Sequence, residues 1–489
     1  MQTSFTHKYL LRWEWATIPT TKDKQTMARI KAISRTRTTI TRQLQFVWRH
    51  KLVPNGETTD GKEVEVLDAG LFNRRGDAPD YFNVKLKLNG VLWVGNVVVT
   101  ENASDWYLNG MDKDKTYDNV ILAVVGNADT DIINSKGQPI SVMPMEVPQQ
   151  LAKRYLILAS DQGQTVCHQN VKENCTRLIV NSWLSALQTE RLEWQTEEIR
   201  RRAKEFGSWE AAYFVTLART FGMGVNGDLM EQWAKSLPMS VTDFHADDLF
   251  QLEALFLGQA GLLELDTIPE RFQHDALNEG YFAKLRNEYL YLAHRYTLHP
   301  LDGKQWQPMG NGRNRTPHLA FSFLANMYYL RKTSLHAMLK CETMTEVRNL
   351  LKVSATPYWQ TRSHFGAECK TCAKQLSAER LNLIVINAVV PMLFAYGREM
   401  SQETYCDQAF DLIEMCKAEK NAITKHWQQY GINADSAGQT QALIQQQGEY
   451  CDKRQCLRCR FGYQYLKGTT KLEGYRNMVI EPDLFAELY

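Results

Sequence analysis

The residues best placed to do chemistry begin at Asp80. It stands at the mouth of an alternating segment, Phe82–Leu88, which continues across Asn89-Gly90 into Val91–Thr100. An Asp there, beside a second strand offering an acidic and a basic residue two positions apart, is the arrangement of a metal-dependent nuclease. Residues i and i+2 share one face of a strand. Two carboxylates on neighbouring strands can hold Mg²⁺ or Mn²⁺ through oxygen. A nearby Lys or His then helps to activate water and offsets phosphate charge. Here only the first half is present. The acidic slot falls at Val98 and the basic slot at Thr100. Glu101 lies three residues from Val98, so a regular strand turns it to the opposite face. Glu63, Glu65, Asp68, Asp77 and Asp105 are the other carboxylates nearby in sequence. The competing reading of Asp80 is a turn residue, the commoner role of an Asp before a strand.

A second set of candidates is Cys451, Cys456 and Cys459, spaced C-x₄-C-x₂-C. Three thiols within nine residues cannot form a helical core stripe. Clustered thiolates bind Zn²⁺ or an iron–sulfur cluster. The fourth ligand is expected from Cys369-x₂-Cys372, with Cys406 and Cys416 as other sources. The interleaved Lys453, Arg454, Arg458 and Arg460 should lower the thiol pKa values and favour ligation. The alternative is free, partly buried thiols among solvated basic residues. Cys167, Cys175 and Cys341 stand apart and are expected to pack as small apolar groups.

These candidates need elements to position them. A chain of 489 residues, 44% hydrophobic and 23% charged, has the composition of a globular protein with more than one core. The net charge of +2 excludes a chain-wide polyanion-binding field. The charge is uneven, however. Residues 1–42 carry nine basic against two acidic residues, and the rest is mildly acidic. This basic arm is expected to be a flexible leader or a contact for nucleic acid. Residues 43–147 read as an α/β domain. Gln43–Lys51 suits a short helix, Lys62–Leu67 and Phe82–Leu88 alternate, Asn89-Gly90 signals a hairpin, and Val91–Thr100 and Val120–Val125 read as buried strands. Residues 148–489 read as mostly α-helical, punctuated by Gly and Pro. The longest apolar run, Leu383–Tyr396, is shorter than a membrane span and contains Asn387 and Pro391. It is expected to be a buried helix, kinked or broken near Pro391.

Charge or Thr interrupts every apolar run in the first 30 residues, so no secretory h-region is expected there. With ten cysteines, that points to a reducing, cytoplasmic setting with free thiols or metal ligands and no membrane partner. Phosphate-binding loops, paired zinc histidines and nucleophile elbows are missing from the sequence. Gly222–Gly227 is expected to be a loop between helices. Tyr328 to Lys332 could stack on bases but more commonly such a run caps a core edge.

Several stretches resemble an uncharacterised bacterial family, the domain of unknown function 2851. They include Gln45 to His50, Asp80 to Asn83, Leu92 to Val97, Ser104 to Tyr107, Tyr117 to Leu122, Leu217 to Gly222, Glu253 to Gly261, His364 to Gly366 and the C-terminal cysteines. The resemblance implies an N-terminal fold like that of restriction-endonuclease-like, PD-(D/E)XK, nucleases. In the family pattern the second strand ends Val-Glu-Ile-His; here Val98 replaces the Glu and Thr100 the His. The family's further histidines fall at Asn109, Met111 and Ala123. The resemblance therefore implies an α+β protein, a mixed α/β nuclease-like domain followed by a larger helical one, whose site is degenerate and keeps only Asp80. Three functions follow. The first is a catalytically degenerate nuclease-like protein that still binds nucleic acid. The second is a Mg²⁺- or Mn²⁺-dependent nuclease with relocated carboxylates. The third is a helical interaction scaffold.

Overall fold

The computed structural model describes residues 39–73, 78–160, 162–222, 224–309, 316–369 and 374–468. Most of the basic arm, Asp77 and Cys372 lie outside the described residues; residues 39–42 of the arm are helical. The chain forms a mixed α/β sheet followed by a mostly helical region, in two compact units. One takes the described residues up to Cys175 and again from Arg454 onward; the other is Thr176–Lys453. The change from strand to helix near residue 145 is where the pattern places it, between strand Pro139–Pro144 and helix Gln149–Ala159. The units divide elsewhere, because the first two helices after the sheet and the C-terminal helix Arg460–Lys467 pack with one another.

The α/β unit opens with α1 (residues 39–49), which buries Leu44, Phe46, Val47 and Trp48. Eight strands follow: β1 (Asn55–Glu57), β2 (Glu63–Asp68), β3 (Leu71–Phe72), β4 (Tyr81–Leu88), β5 (Val91–Asn102), β6 (Val120–Asn127), β7 (Ile132–Ile133) and β8 (Pro139–Pro144). A short helix α2 (Asp105–Leu108) links β5 to β6; α3 (Gln149–Ala159) and α4 (Gly163–Asn174) follow the sheet. The sheet order is β1-β2-β4-β5-β6-β8-β7, with β3 beside β4. β4 and β5 are antiparallel, whereas β5, β6 and β8 run parallel.

The β4–β5 hairpin turns at Asn89 and Gly90, both at positive φ, the backbone that matches strand twist. Two local features depart from the sequence pattern. Asn83 adopts φ 53° and the β4–β5 register shifts between Tyr81 and Val84. This bulge buries Tyr81 and leaves Phe82 only half-buried, against strict alternation. The first half of β5 is also not the buried strand expected. Val91, Leu92, Trp93 and Val94 are exposed, because β6 pairs with β5 only from Asn96 on. From Val97 to Thr100 the strand is buried, paired with β6 and with β4 as far as Val97.

The helical unit begins with α5 (Arg177–Phe206), α6 (Trp209–Phe221) and α7 (Gly227–Ser236). Its core gathers residues from Leu192 to Ala437. Residues 378–399 form one buried helical run. Pro391 does not break it: a π-turn, Val385–Val389, precedes the proline. Widening the helix there accommodates a residue that lacks an N–H and crowds the carbonyl four residues back.

Candidate functional site

Asp80 joins α1 to the sheet. The Gln45 side-chain amide donates to Oδ1 at 2.9 Å and the Val99 backbone N–H donates to Oδ2 at 2.8 Å. The Tyr81 hydroxyl donates to the Gln45 carbonyl at 2.8 Å, and the Trp48 indole N–H to the Ala69 carbonyl at 3.2 Å. Burial pushes the Asp80 carboxyl up to about 6, against the pull of those two hydrogen bonds, and no neighbouring charge contributes. A carboxylate holding a divalent cation beside a second acid would show like-charge coupling; this one shows desolvation. Among the described residues no three His, Cys, Asp or Glu side chains are grouped to hold a metal ion.

The register that pairs Tyr81 with Val97 brings Asp80 alongside Val98. Val98 pairs with Ala123 across β5 and β6. Both are fully buried in an apolar cluster with Trp106, Val125 and Val142, and Met111 packs against its edge. Val98, Ala123 and Met111, three of the five positions expected to mark a degenerate site, thus converge in one dry patch. Thr100 is buried, and its hydroxyl donates to the Asn102 carbonyl at 2.9 Å. Asn109 ends α2 and donates to the Asp105 carbonyl at 2.9 Å. The β5–β6 register is unbroken from Val97 to Asn102, so Glu101 lies on the face opposite Val98. Of the other carboxylates, Glu65 pairs with Lys87 at 2.8 Å, Asp68 accepts the Gly70 N–H, and Asp105 accepts the Asn102 N–H at 3.0 Å.

Beside Asp80 lies a cavity of about 180 Å³ that the sequence reading did not single out. Arg42, Gln45, Phe46 and Arg49 of α1, Phe72 and Tyr81 of the sheet, Tyr155 of α3, and Arg454 and Arg458 of the C-terminal segment line it. No carboxylate does so among the described residues. The Arg454 guanidinium is anchored by the Ala159 carbonyl at 2.6 Å. Tyr463 of the helix Arg460–Lys467 packs on Phe46 of α1 and on His50 just after it, with ring centroids 5.9 and 4.3 Å apart. Burial, helped by the charge of Arg49, lowers His50 to about 4, so it is neutral near neutrality and adds nothing to the charge there. Arg42, Gln45, Phe46 and Arg49 follow the i, i+3, i+4, i+7 spacing of one helix face, a signal legible in the sequence. Their meeting with Arg454 and Arg458 was not.

The cysteines fall in both units. Cys451 ends a π-turn, Gln446–Cys451, in the helical unit, where its sulfur accepts from the Gln446 amide at 3.2 Å. Cys456 and Cys459 bracket a 3₁₀ turn in the α/β unit. Cys369 belongs to the helical unit, and its N–H donates to the Thr361 carbonyl at 3.0 Å. The nine described cysteines are free. The Cys456 thiol is pushed up to about 11, first by burial and then by Cys459, with Arg454 offsetting part of this. That reverses the lowering expected from the basic neighbours, because burial disfavours the thiolate more than an exposed guanidinium favours it.

The helical unit holds a second buried carboxyl. Glu253 accepts from the Tyr281 hydroxyl at 2.8 Å, the Thr356 hydroxyl at 3.0 Å and the Trp359 indole N–H. Burial raises its pKa against these three donors. His318 is buried nearby against Trp359, His364 and Phe365.

Neither a curated protein nor a solved structure is matched by this chain. The match to a family ends before the cysteine-rich segment, although the resemblance read from the sequence extended through it. The family described as a protein of unknown function (DUF2851) matches residues 42–422, more than three quarters of the chain, and the chain belongs to that family.

Proposed function

We propose that this protein is a non-catalytic, nuclease-like member of its family that binds nucleic acid through backbone phosphate at the arginine cavity beside Asp80. The carrying observation is that cavity: four arginines and two tyrosines around a space of about 180 Å³, with no carboxylate among the described lining residues. Guanidinium groups match phosphate geometry in their fork of donors. The volume is below the usual range for whole small ligands and suits a single phosphate. The order of elements, a helix, an antiparallel meander, a short helix and a parallel strand, supports a nuclease-like ancestry. The apolar patch at Val98, Ala123 and Met111 supports loss of catalysis, since a metal cannot be held by those side chains.

The test is fluorescence anisotropy of a labelled single strand across a salt series, with wild type beside Arg42→Ala/Arg49→Ala. Each lost phosphate contact should lower the slope of log affinity on log salt by roughly 0.7. An unchanged slope and affinity would remove the proposal. In parallel, a DNA and RNA panel with Mg²⁺ or Mn²⁺ should remain uncut by wild type. Cleavage that Asp80→Ala abolishes would overturn the non-catalytic reading in favour of relocated carboxylates.

A further inference from the structure

The helical unit contains a larger cavity, of about 840 Å³, within the range of small-ligand sites. Its walls are α5, α6, α7 and the helical run through Leu383, Asn387 and Pro391. Arg191, Arg201, Arg202, Arg219 and Lys235 line it, against Glu198, Asp228 and Glu231. These charges divide into two classes. Glu231 and Arg202 are nearly buried and joined at 2.8 Å; Arg202 also donates to the Thr216 hydroxyl at 3.2 Å. Arg219 and Lys235 converge on the same carboxylate at 3.0 and 3.2 Å. Burial alone would raise Glu231, but Arg202, Lys235 and Arg219 hold it near 2. The nearly buried Arg202–Glu231 pair is structural, and with Arg219 and Lys235 it leaves three cations around one carboxylate.

The outer pairs differ. Arg219–Asp228 and Arg201–Glu198, both at 2.6 Å, involve Asp228 at 63% exposure and Arg201 at 58%. Exposed pairs contribute little, about 0–1 kcal/mol, so an incoming anion can displace those carboxylates from their guanidinium partners. Trp194 lies in the wall at 56% exposure, a large aromatic face left in water. Asn226 precedes α7, yet its side chain does not cap the helix. Its amide donates to the Gln307 carbonyl at 2.7 Å, and its oxygen accepts the Gln307 N–H at 3.0 Å. The start of α7 at Gly227 therefore faces the cavity without its usual cap, with the positive end of the helix dipole inward. The π-turn carrying Asn387 forms part of the opposite wall, a deviation frequent at functional sites.

We infer that this cavity binds a mononucleotide, its base stacked on Trp194 and its phosphates held by Arg201, Arg219 and the first turn of α7. The cations alone would accept any small anion, and the exposed indole selects one that carries a planar ring. Gly224 and Gly227, both in the lining, carry no side chain to keep a phosphate from the backbone.

The test is titration of the full chain with ATP and GTP, using adenosine and inorganic phosphate as controls, read by calorimetry. Nucleotides should bind saturably and at least about tenfold more tightly than either control. Trp194→Ala and Arg201→Ala replace exposed side chains, and unchanged melting will show that the fold is intact. Each should weaken nucleotide binding about tenfold, the scale of one lost stacking or charge-assisted contact. Arg42→Ala/Arg49→Ala, in the other unit, should leave it unchanged. Absence of saturable binding, binding insensitive to both Trp194→Ala and Arg201→Ala, loss only in the Arg42/Arg49 variant, or controls that bind as tightly as nucleotide would each overturn the proposal.

Discussion

Asp80 accepts one hydrogen bond from Gln45 of α1 and one from the Val99 backbone of β5. Its pH dependence follows from its raised pKa. A carboxyl whose folded pKa lies above its ordinary value of 3.8, at about 6, stabilises the fold fully only below pH 4. That contribution is lost as pH rises through 6. Asp80→Asn should therefore be no less stable than wild type at pH 7, with Gln45 turning its amide to present oxygen. It should also flatten the stability profile between pH 4 and 6. Asp80→Ala leaves the buried Val99 N–H without an acceptor and should cost about 1–3 kcal/mol. Urea unfolding at pH 5 and pH 7 checks both; an Asn variant as unstable as the Ala variant would mean that the charge itself holds α1. At Glu253 three donors converge on one buried carboxyl. Glu253→Gln keeps an acceptor and should be milder than Glu253→Ala, whose cost should reach about 3 kcal/mol. Thermal unfolding compares the two.

Among the elements, two glycines show different constraints. Gly90 sits at φ 79° with open space around a would-be Cβ. Gly90→Ala should cost about 1 kcal/mol from backbone conformation alone. Gly258 lies in the buried helix Leu249–Gln259, where an added Cβ would stand 2.0 Å from the Tyr289 ring. Gly258→Ala must push that helix away from Tyr281–Tyr296, so it should cost at least about 3 kcal/mol. Denaturation midpoints of the two variants will separate conformational strain from overpacking. The β4–β5 hairpin shows why element boundaries alone mislead. On its β5 side Val91 to Val94 are apolar and exposed, because pairing with β6 begins only at Asn96.

For the whole molecule, the return of the chain to its first unit matters most. The C-terminal helix buries Phe461, Tyr465 and Leu466 within the α/β unit, and the segment before it supplies Arg454 and Arg458 to the arginine cavity. A chain ended at Lys453 should uncover apolar surface on α1, α3 and α4, bind a hydrophobic dye, and lose oligonucleotide affinity. Phe461→Ala, which truncates a fully buried ring in place, should cost about 3–5 kcal/mol. If dye binding and proteolysis of the shortened chain match those of the full chain, the C-terminal helix is dispensable to that unit.

The sequence by itself determined the succession of elements: strands to residue 144, then helices, the hairpin at Asn89-Gly90, and the loop at Gly222. These are matters of local periodicity, turn chemistry and residue type, which neighbouring residues carry. The degenerate-site positions Val98, Met111 and Ala123 came from the family resemblance alone. The tertiary structure decided which positions meet. It set Val98 against Ala123 and Trp106, turned the Asp80 carboxylate toward Gln45 and Val99, and placed Arg42 and Arg49 with Arg454 and Arg458 from the far end of the chain. It also opened a cavity among α5, α6, α7 and the helical run at Asn387. No periodicity encodes such encounters, because they depend on how faces pack across long stretches of chain, and burial then resets the charge of the groups that packing brings together.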